Sequence, residues 1–165
     1  EKVITPLREI NASVLGDMED AKCSVLEEVV KQDTILSFQD KYEGHAKSKG
    51  MAGTNRRVPA SLEKEEAQEI TSYALASFQA LQAEGVVRID FLMNADTKDI
   101  YVNEINSIPG SLAYYLWEAS GLTFTKLLEE LIQLGMKRWR REEKRIVSFD
   151  TNVLQLQAKG GSKQL

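Results

Sequence analysis

From Arg8 to Leu15, and again from Cys23 to Phe38, Val, Ile and Leu recur in short runs broken at Gly16-Asp17 and Gln32-Asp33. That pattern reads as strands joined by turns. Between Asp40 and Pro59 the periodicity lapses, with Tyr42, Gly44, Gly50 and Gly53 set among lysines. A loop of that length inside a domain is of the functional or disordered kind. Ser61 then precedes a segment, Leu62 to Ala83, in which Ile70, Ala74, Leu75, Ala76, Phe78 and Leu81 recur at near-helical spacing behind a glutamate-rich first turn. The spacing predicts a helix closed by Gly85. Val86 to Met93 and Ile100 to Ile105 predict two strands of a hairpin around the turn-forming residues Asn94 to Asp99. Ser107 to Gly121 reads as a loop, and a second helix runs from Thr123 to Arg145 with Phe124, Leu127, Leu128, Leu131, Ile132 and Trp139 as its apolar face. The last residues, through Lys159-Gly160-Gly161-Ser162-Lys163, predict a flexible tail, and no internal repeat is present. Together these elements predict an α+β fold, an antiparallel sheet packed against helices.

A chain of 165 residues with 42% hydrophobic content can bury one domain core and fold at least in part by itself. Its net charge of -4 and pI near 5.2 argue against non-specific adhesion to nucleic acid or to an anionic membrane. The basic run Lys137-Arg138-Trp139-Arg140-Arg141 does not alter this, because Glu142 and Glu143 interrupt it and cations suit the last turns of a helix. Apolar runs are far shorter than the roughly 20 residues a membrane span needs, and the first residues carry no signal-peptide pattern. No nucleic-acid or membrane partner is expected, and a cytoplasmic setting is the default. Cys23 and His45 are the sole cysteine and histidine, so a cysteine-rich zinc site is excluded, and nothing in the sequence brings the two together as a catalytic pair.

The predicted hairpin holds the densest chemistry. Alternate side chains share a face, so Arg88, Asp90 and Leu92 lie together on one strand and Val102, Glu104 and Asn106 on the other. With the turn centred on Thr97, Asp90 opposes Glu104 and Arg88 opposes Asn106. Two opposed carboxylates repel, and in a half-buried setting one would take up a proton unless a cation lies between them. Aspartate, glutamate and asparagine oxygens are the hard ligands magnesium prefers, with water and substrate phosphates filling its other positions. Leu92, on the same face, offers apolar surface suited to a nucleotide base. The competing reading is a solvated sheet face on which Arg88 simply pairs with Asp90 or Glu104. Asn106-Ser107-Ile108-Pro109-Gly110-Ser111 weighs against it, since backbone amides and a glycine directly after the strand allow an anion to approach closely.

Arg88-Ile89-Asp90-Phe91, followed by Val102-Asn103-Glu104-Ile105-Asn106-Ser107-Ile108-Pro109-Gly110, resembles the C-terminal ATP-grasp signature of the D-alanine-D-alanine ligase family. The resemblance extends forward through Gly121-Leu122-Thr123-Phe124 and back to Arg8-Glu9-Ile10 and Asp40-Lys41-Tyr42. It implies that residues 1–145 are the C-terminal part of an ATP-grasp domain with a mobile loop at 40–58, followed by an extension at 146–165. The implied activity is ATP-dependent phosphorylation of one D-alanine carboxylate, then attack on the acyl phosphate by the amine of a second D-alanine. By the same resemblance Asp90, Glu104 and Asn106 hold two magnesium ions, with manganese as the alternative, against the phosphates of ATP. Arg88 and the amide of Gly110 stabilise the oxyanion of the tetrahedral intermediate. Glu1 and Lys2 match the hinge that contacts adenine, Glu9 an acidic residue near the ribose, and Lys41 and Tyr42 the loop that closes over the phosphates and substrate.

The sequence also departs from the family pattern. The loop from Glu43 to Arg57 is longer and richer in glycine, and Tyr114 or Tyr115 stands where a serine binds the carboxylate of the second D-alanine, with Ser111 as a partial substitute. A related ligase with another acceptor, or a non-catalytic ATP-grasp-like module, are the alternative readings. The family's substrate domain and glycine-rich ATP loop belong upstream of Glu1, so the resemblance implies a piece of a longer ligase, a homodimer being one assembly open to the full-length form. The isolated chain is expected to be inactive.

Overall fold

The computed structural model describes residues 3–30 and 55–145. Among them, strands β1 (Leu7–Gly16), β2 (Ala21–Cys23), β3 (Glu27–Val30), β4 (Asn55–Arg57), β5 (Gly85–Asn94) and β6 (Ile100–Asn106) form one antiparallel sheet. Its order is β4-β3-β1-β5-β6, with β2 also paired to β1. β1 and β5 pair along their whole length, from Leu7↔Asn94 to Gly16↔Gly85, and so form the spine of the sheet.

Alternation on that spine decides the packing. Ile10, Ala12 and Val14 of β1 and Val87, Ile89, Phe91 and Met93 of β5 point to one face, which helix α1 (Lys64–Ala80) covers with Ile70, Ala74 and Phe78. The spacing of those three helical residues, one turn apart each time, places them on a single stripe. Each buried large side chain in this layer contributes about 1.5–3 kcal/mol. Glu66 accepts a hydrogen bond from the Glu63 amide at 3.1 Å and fixes the start of α1. The end of α1 lies earlier than its sequence predicts. Gln82, at φ 51°, turns the chain while Ala83 and Gln82 donate back to Phe78 and Gln79, so Gly85 is left to open β5.

Other segments also differ from expectation. The apolar run after Cys23 is not one strand: β2 stops at Cys23 and β3 begins at Glu27, both pairing with β1. Gly16 makes the tight return from β1 to β2 possible, since a side chain there would meet the Asp20 carbonyl at 2.1 Å. β4 lies within the stretch read as loop, where its short Asn-Arg-Arg sequence carries no apolar alternation. The segment read as a loop after Ser107 contains a turn at Gly110–Ala113 and helix α2 (Tyr114–Ala119), which buries Leu116 and Trp117.

Helix α3 (Phe124–Glu143) carries less of its predicted apolar face into the core than expected. Leu127 is buried and Leu131 half-buried, packing with Leu15, Val86 and Trp117 in a second apolar cluster. Phe124, Leu128, Ile132 and Trp139 are exposed. Two compact units divide within this helix, Glu1–Gly135 and Met136–Leu165. Of the second, residues 136–145 are described; they form the last turns of α3 and its C-terminal end, where Arg145 pairs with Glu142 at 2.8 Å.

Candidate active site

The β5–β6 hairpin sets the register of the site. Near the turn, Met93 pairs with Ile100, Leu92 with Tyr101 and Phe91 with Val102; beyond an irregularity, Asp90 pairs with Glu104, Ile89 with Ile105 and Arg88 with Asn106. Asn103 is therefore the extra residue of a β-bulge. The expected opposition of Asp90 and Glu104 is present, but through the bulge rather than through a turn centred on Thr97. The bulge also moves Val102 to the Phe91 side, away from Glu104, against the strict alternation assumed from sequence. Asn94 shapes the turn, its side-chain oxygen accepting from the amides of Asp96 and Thr97 at 2.9 Å each.

On the face of the sheet turned away from α1, cross-strand partners form rows. One row runs Glu27, Asn11, Asp90, Glu104 across β3, β1, β5 and β6. The next, toward α2, is Ser13, Arg88, Asn106, and beyond it Leu15 and Val86 close the layer under Trp117. On the other side lies Arg56, Val29, Glu9, Leu92. The face thus grades from apolar closure, through charged rows, to the half-buried Leu92.

Asp90 is 6% exposed and engaged by cationic and amide donors. Arg88 donates from Nε to Oδ1 at 2.7 Å and from Nη2 to Oδ2 at 2.8 Å, a bidentate pair, and Asn106 Nδ2 donates to Oδ2 at 3.2 Å. The Asp90 hydrogen bond holds the Arg88 guanidinium above its ordinary pKa, against the opposing effect of burial. Glu104, opposite, is exposed. A carboxylate offers about four lone-pair positions, of which these donors take three. The carbonyl oxygen of Asn106, the remaining position on Asp90 and the Glu104 carboxylate are hard oxygen donors of the kind magnesium takes. Among the described residues no group of three or more His, Cys, Asp or Glu side chains is placed to hold a metal ion, and Asp90, Glu104 and the Asn106 amide are the oxygen donors that β5 and β6 bring to this face.

After β6 the chain enters an unusual turn. Ser111, Leu112 and Ala113 follow Gly110 with φ of 51°, 57° and 49°, left-handed values that non-glycine residues adopt at a cost of roughly 1–2 kcal/mol each. A Leu112-to-Pro109 backbone bond at 2.9 Å and the buried Ala113, Leu116 and Trp117 hold it in place. Trp117 Nε1 donates to Ser13 Oγ at 2.9 Å, tying α2 to the row that contains Arg88. Backbone strain of this kind persists where surrounding packing over-determines it.

The family of D-ala D-ala ligase C-termini matches residues 1–133. The chain belongs to that family. Among curated ligases, the D-alanine--D-alanine ligase of Thermosipho africanus is 38% identical over 90% of this chain and 39% of its own length; that of Thermosipho melanesiensis is 40% identical over 90% and 38%. The chain therefore spans about two fifths of the length of these relatives. The D-alanine-D-alanine ligase structure from Coxiella burnetii superposes with a TM-score of 0.68 at 27% identity, covering 87% of this chain and 36% of that one. The α+β antiparallel architecture is that of the C-terminal part of these ligases.

Within this ligase C-terminus, the structure brings Arg88, Asp90, Glu104 and Asn106 together and puts Leu92 and Glu9 in the adjoining row. Glu9 also lines a pocket of about 290 Å³ in which Leu7, Val29 and Val30 stand beside the charged Arg8, Glu28 and Arg57. Gly110 and Ser111 form the strained turn just beyond Asn106. Tyr115 is half-buried, and its hydroxyl donates to Glu27 at 2.7 Å. Burial and the Glu27 carboxylate push its pKa far up, so the phenol keeps its proton as donor. Glu1, Lys2, Lys41 and Tyr42 lie outside the described residues.

Sequence reading missed Glu27, Asn11 and Arg56. Glu27 is fully buried, accepting from Asn11 Nδ2 at 3.1 Å and from Tyr115, with Arg56 Nη1 at 3.2 Å. The signal was Glu27-Glu28 inside an apolar strand run, where a charge is expected to be paired. Its partners could not be named without the order of strands.

Proposed function

We propose that this chain supplies the cation- and oxyanion-binding half of an ATP-dependent ligase that joins two D-alanine molecules through an acyl phosphate. The observation that carries the reading is the register of Asp90 against Glu104, with Arg88 and Asn106 in the neighbouring row, immediately before the Gly110 turn. Asp90, Glu104 and Asn106 would hold two magnesium ions, which when bound neutralise phosphate charge during transfer.

The chain's own groups do the rest. Asp90 fixes the Arg88 guanidinium by two bonds, so the fork is oriented before substrate arrives. Negative charge that develops when the acceptor amine attacks the acyl carbon falls to Arg88 and to the Gly110 amide. As the C–N bond forms and the bond to phosphate breaks, phosphate leaves and the amine loses a proton. Leu92 offers the apolar surface for the base and Glu9 a carboxylate for the ribose. The apolar closure by Leu15, Val86, Trp117 and Leu127 excludes water behind the oxyanion row.

The test is phosphate release by the full-length protein that carries this chain, with ATP, magnesium and paired amino acids, D-alanine first. Turnover is expected with D-alanine, and Asp90→Asn or Glu104→Gln should lower it on the order of a thousandfold while circular dichroism is unchanged. The reading falls if no amino acid stimulates phosphate release, or if both variants match the parent.

A further inference from the structure

The polar network beyond Asp90 ends in a guanidinium whose side chain is 23% exposed. Arg56, on the edge strand β4, reaches over the ring of Tyr115, its Cζ 5.3 Å from the ring centroid, and its Nη1 pairs with Glu27 at 3.2 Å. Its Nε is buried and makes no hydrogen bond among the described residues. Stacking and the Glu27 contact hold the plane of the fork, so a second planar acceptor could dock with little loss of side-chain freedom. Asn11 and Tyr115, both neutral donors, serve Oε2 of Glu27, and Arg56 is the cation beside Oε1.

Position adds to this. Tyr115 lies within electrostatic reach of both Arg56 and Arg88. By strand register Arg56 and Arg88 belong to the same face of the sheet, and Tyr115, donating to Glu27, has its hydroxyl proton committed to protein.

We propose that Arg56 holds the carboxylate of the acceptor amino acid, with Glu27 and Tyr115 as its positioning residues. The inference rests on the ligase reading above and names the acceptor determinant within it. Carboxylate on Arg56 directs the amine of the same molecule toward the acyl carbon held at Arg88. Glu27 sets the angle of the fork and Tyr115 its height over the sheet.

The experiment uses the full-length protein with saturating donor D-alanine, and compares D-alanine with D-alaninamide as acceptor. The amide keeps the amine and loses the carboxylate. The parent should favour D-alanine by about a hundredfold in kcat/KM, the scale of a charge-assisted bidentate contact. Arg56→Ala should bring the two acceptors within a few-fold of one another by lowering the D-alanine rate far more than the D-alaninamide rate, leave the KM for ATP unchanged, and Arg56→Lys should restore part of the preference. Equal loss on both acceptors, a preference undiminished from the parent's in either variant, or a rise confined to the KM for ATP overturns the proposal. If Arg56→Ala fails to fold, the Arg56→Lys comparison decides alone. Turnover without carboxylate preference removes only this inference, whereas a parent inactive with every acceptor removes the ligase reading beneath it.

Discussion

The two faces of the sheet use alternate residues of the same strands for opposite ends. Toward α1, Ile10, Ala12, Val14, Val87, Ile89, Phe91 and Met93 are all 0–2% exposed and carry no polar side-chain atom. On the opposite face Ser13, Asn11, Asp90 and Glu27 are packed nearly as deeply and Arg88 is half-buried, and every one has a side-chain hydrogen bond. One face loses free energy only through shape, the other through unmet charge. Neighbouring positions such as Ile89 and Asp90 should therefore separate stability from chemistry, and three substitutions can break or sharpen that division.

The largest effect is expected on the apolar face. Phe78→Ala removes a fully buried ring from the α1 layer, with an expected cost of about 3–5 kcal/mol from lost burial and the cavity left behind. Urea denaturation of the 165-residue chain measures it. A cost below about 1 kcal/mol would mean that this face is not the stabilising one.

Arg88→Lys probes the polar face at the next scale. Lysine keeps the charge but cannot make the paired Nε and Nη2 bonds to Asp90, so turnover in the full-length protein should fall about a hundredfold, with the urea midpoint nearly unchanged. A loss of stability with unaltered turnover would reverse the assignment and make the Arg88–Asp90 pair a structural bridge.

The faces also differ in how far sequence discloses them. α1, the spine strands and the β5–β6 hairpin follow from periodicities of 3.6 and 2, which are local properties. Asp90 opposite Glu104 was legible for that reason, although the bulge at Asn103 that restores the pairing was not. The rows that extend to Glu27 and Arg56 depend on β1 lying between β3 and β5, with many residues separating the partners, and no local pattern encodes that order. α2 was hidden because the left-handed turn before it runs through Leu112 and Ala113, residue types that signal neither a cap nor a turn. The exposed Phe124, Leu128 and Ile132 of α3 show the converse, since apolar spacing identifies a stripe but not whether anything covers it.

The smallest effect concerns a charged fringe on the apolar face itself. Glu28, 8% exposed, shares the α1 side with Ile10 and accepts from Arg8 at 2.8 Å and Arg57 at 3.1 Å. Burial alone would raise its pKa, but the Arg8 hydrogen bond and charge, with the backbone of Ser61 and the charge of Arg57, outweigh burial and leave it below the usual 4.5. A carboxylate whose folded pKa is depressed adds stability that is present above its unfolded value and is lost as pH falls through the folded one. Glu28→Gln should thus cost about 1–2 kcal/mol at neutral pH, discounted because Arg57 is half exposed, and nothing at a pH well below the folded value. Urea denaturation from pH 7 down through 4.5 measures the difference between parent and variant, which should close as the solution is acidified. A difference that stays constant, or widens in acid, would show that Glu28 acts by packing, and the apolar face would then be apolar to its edge.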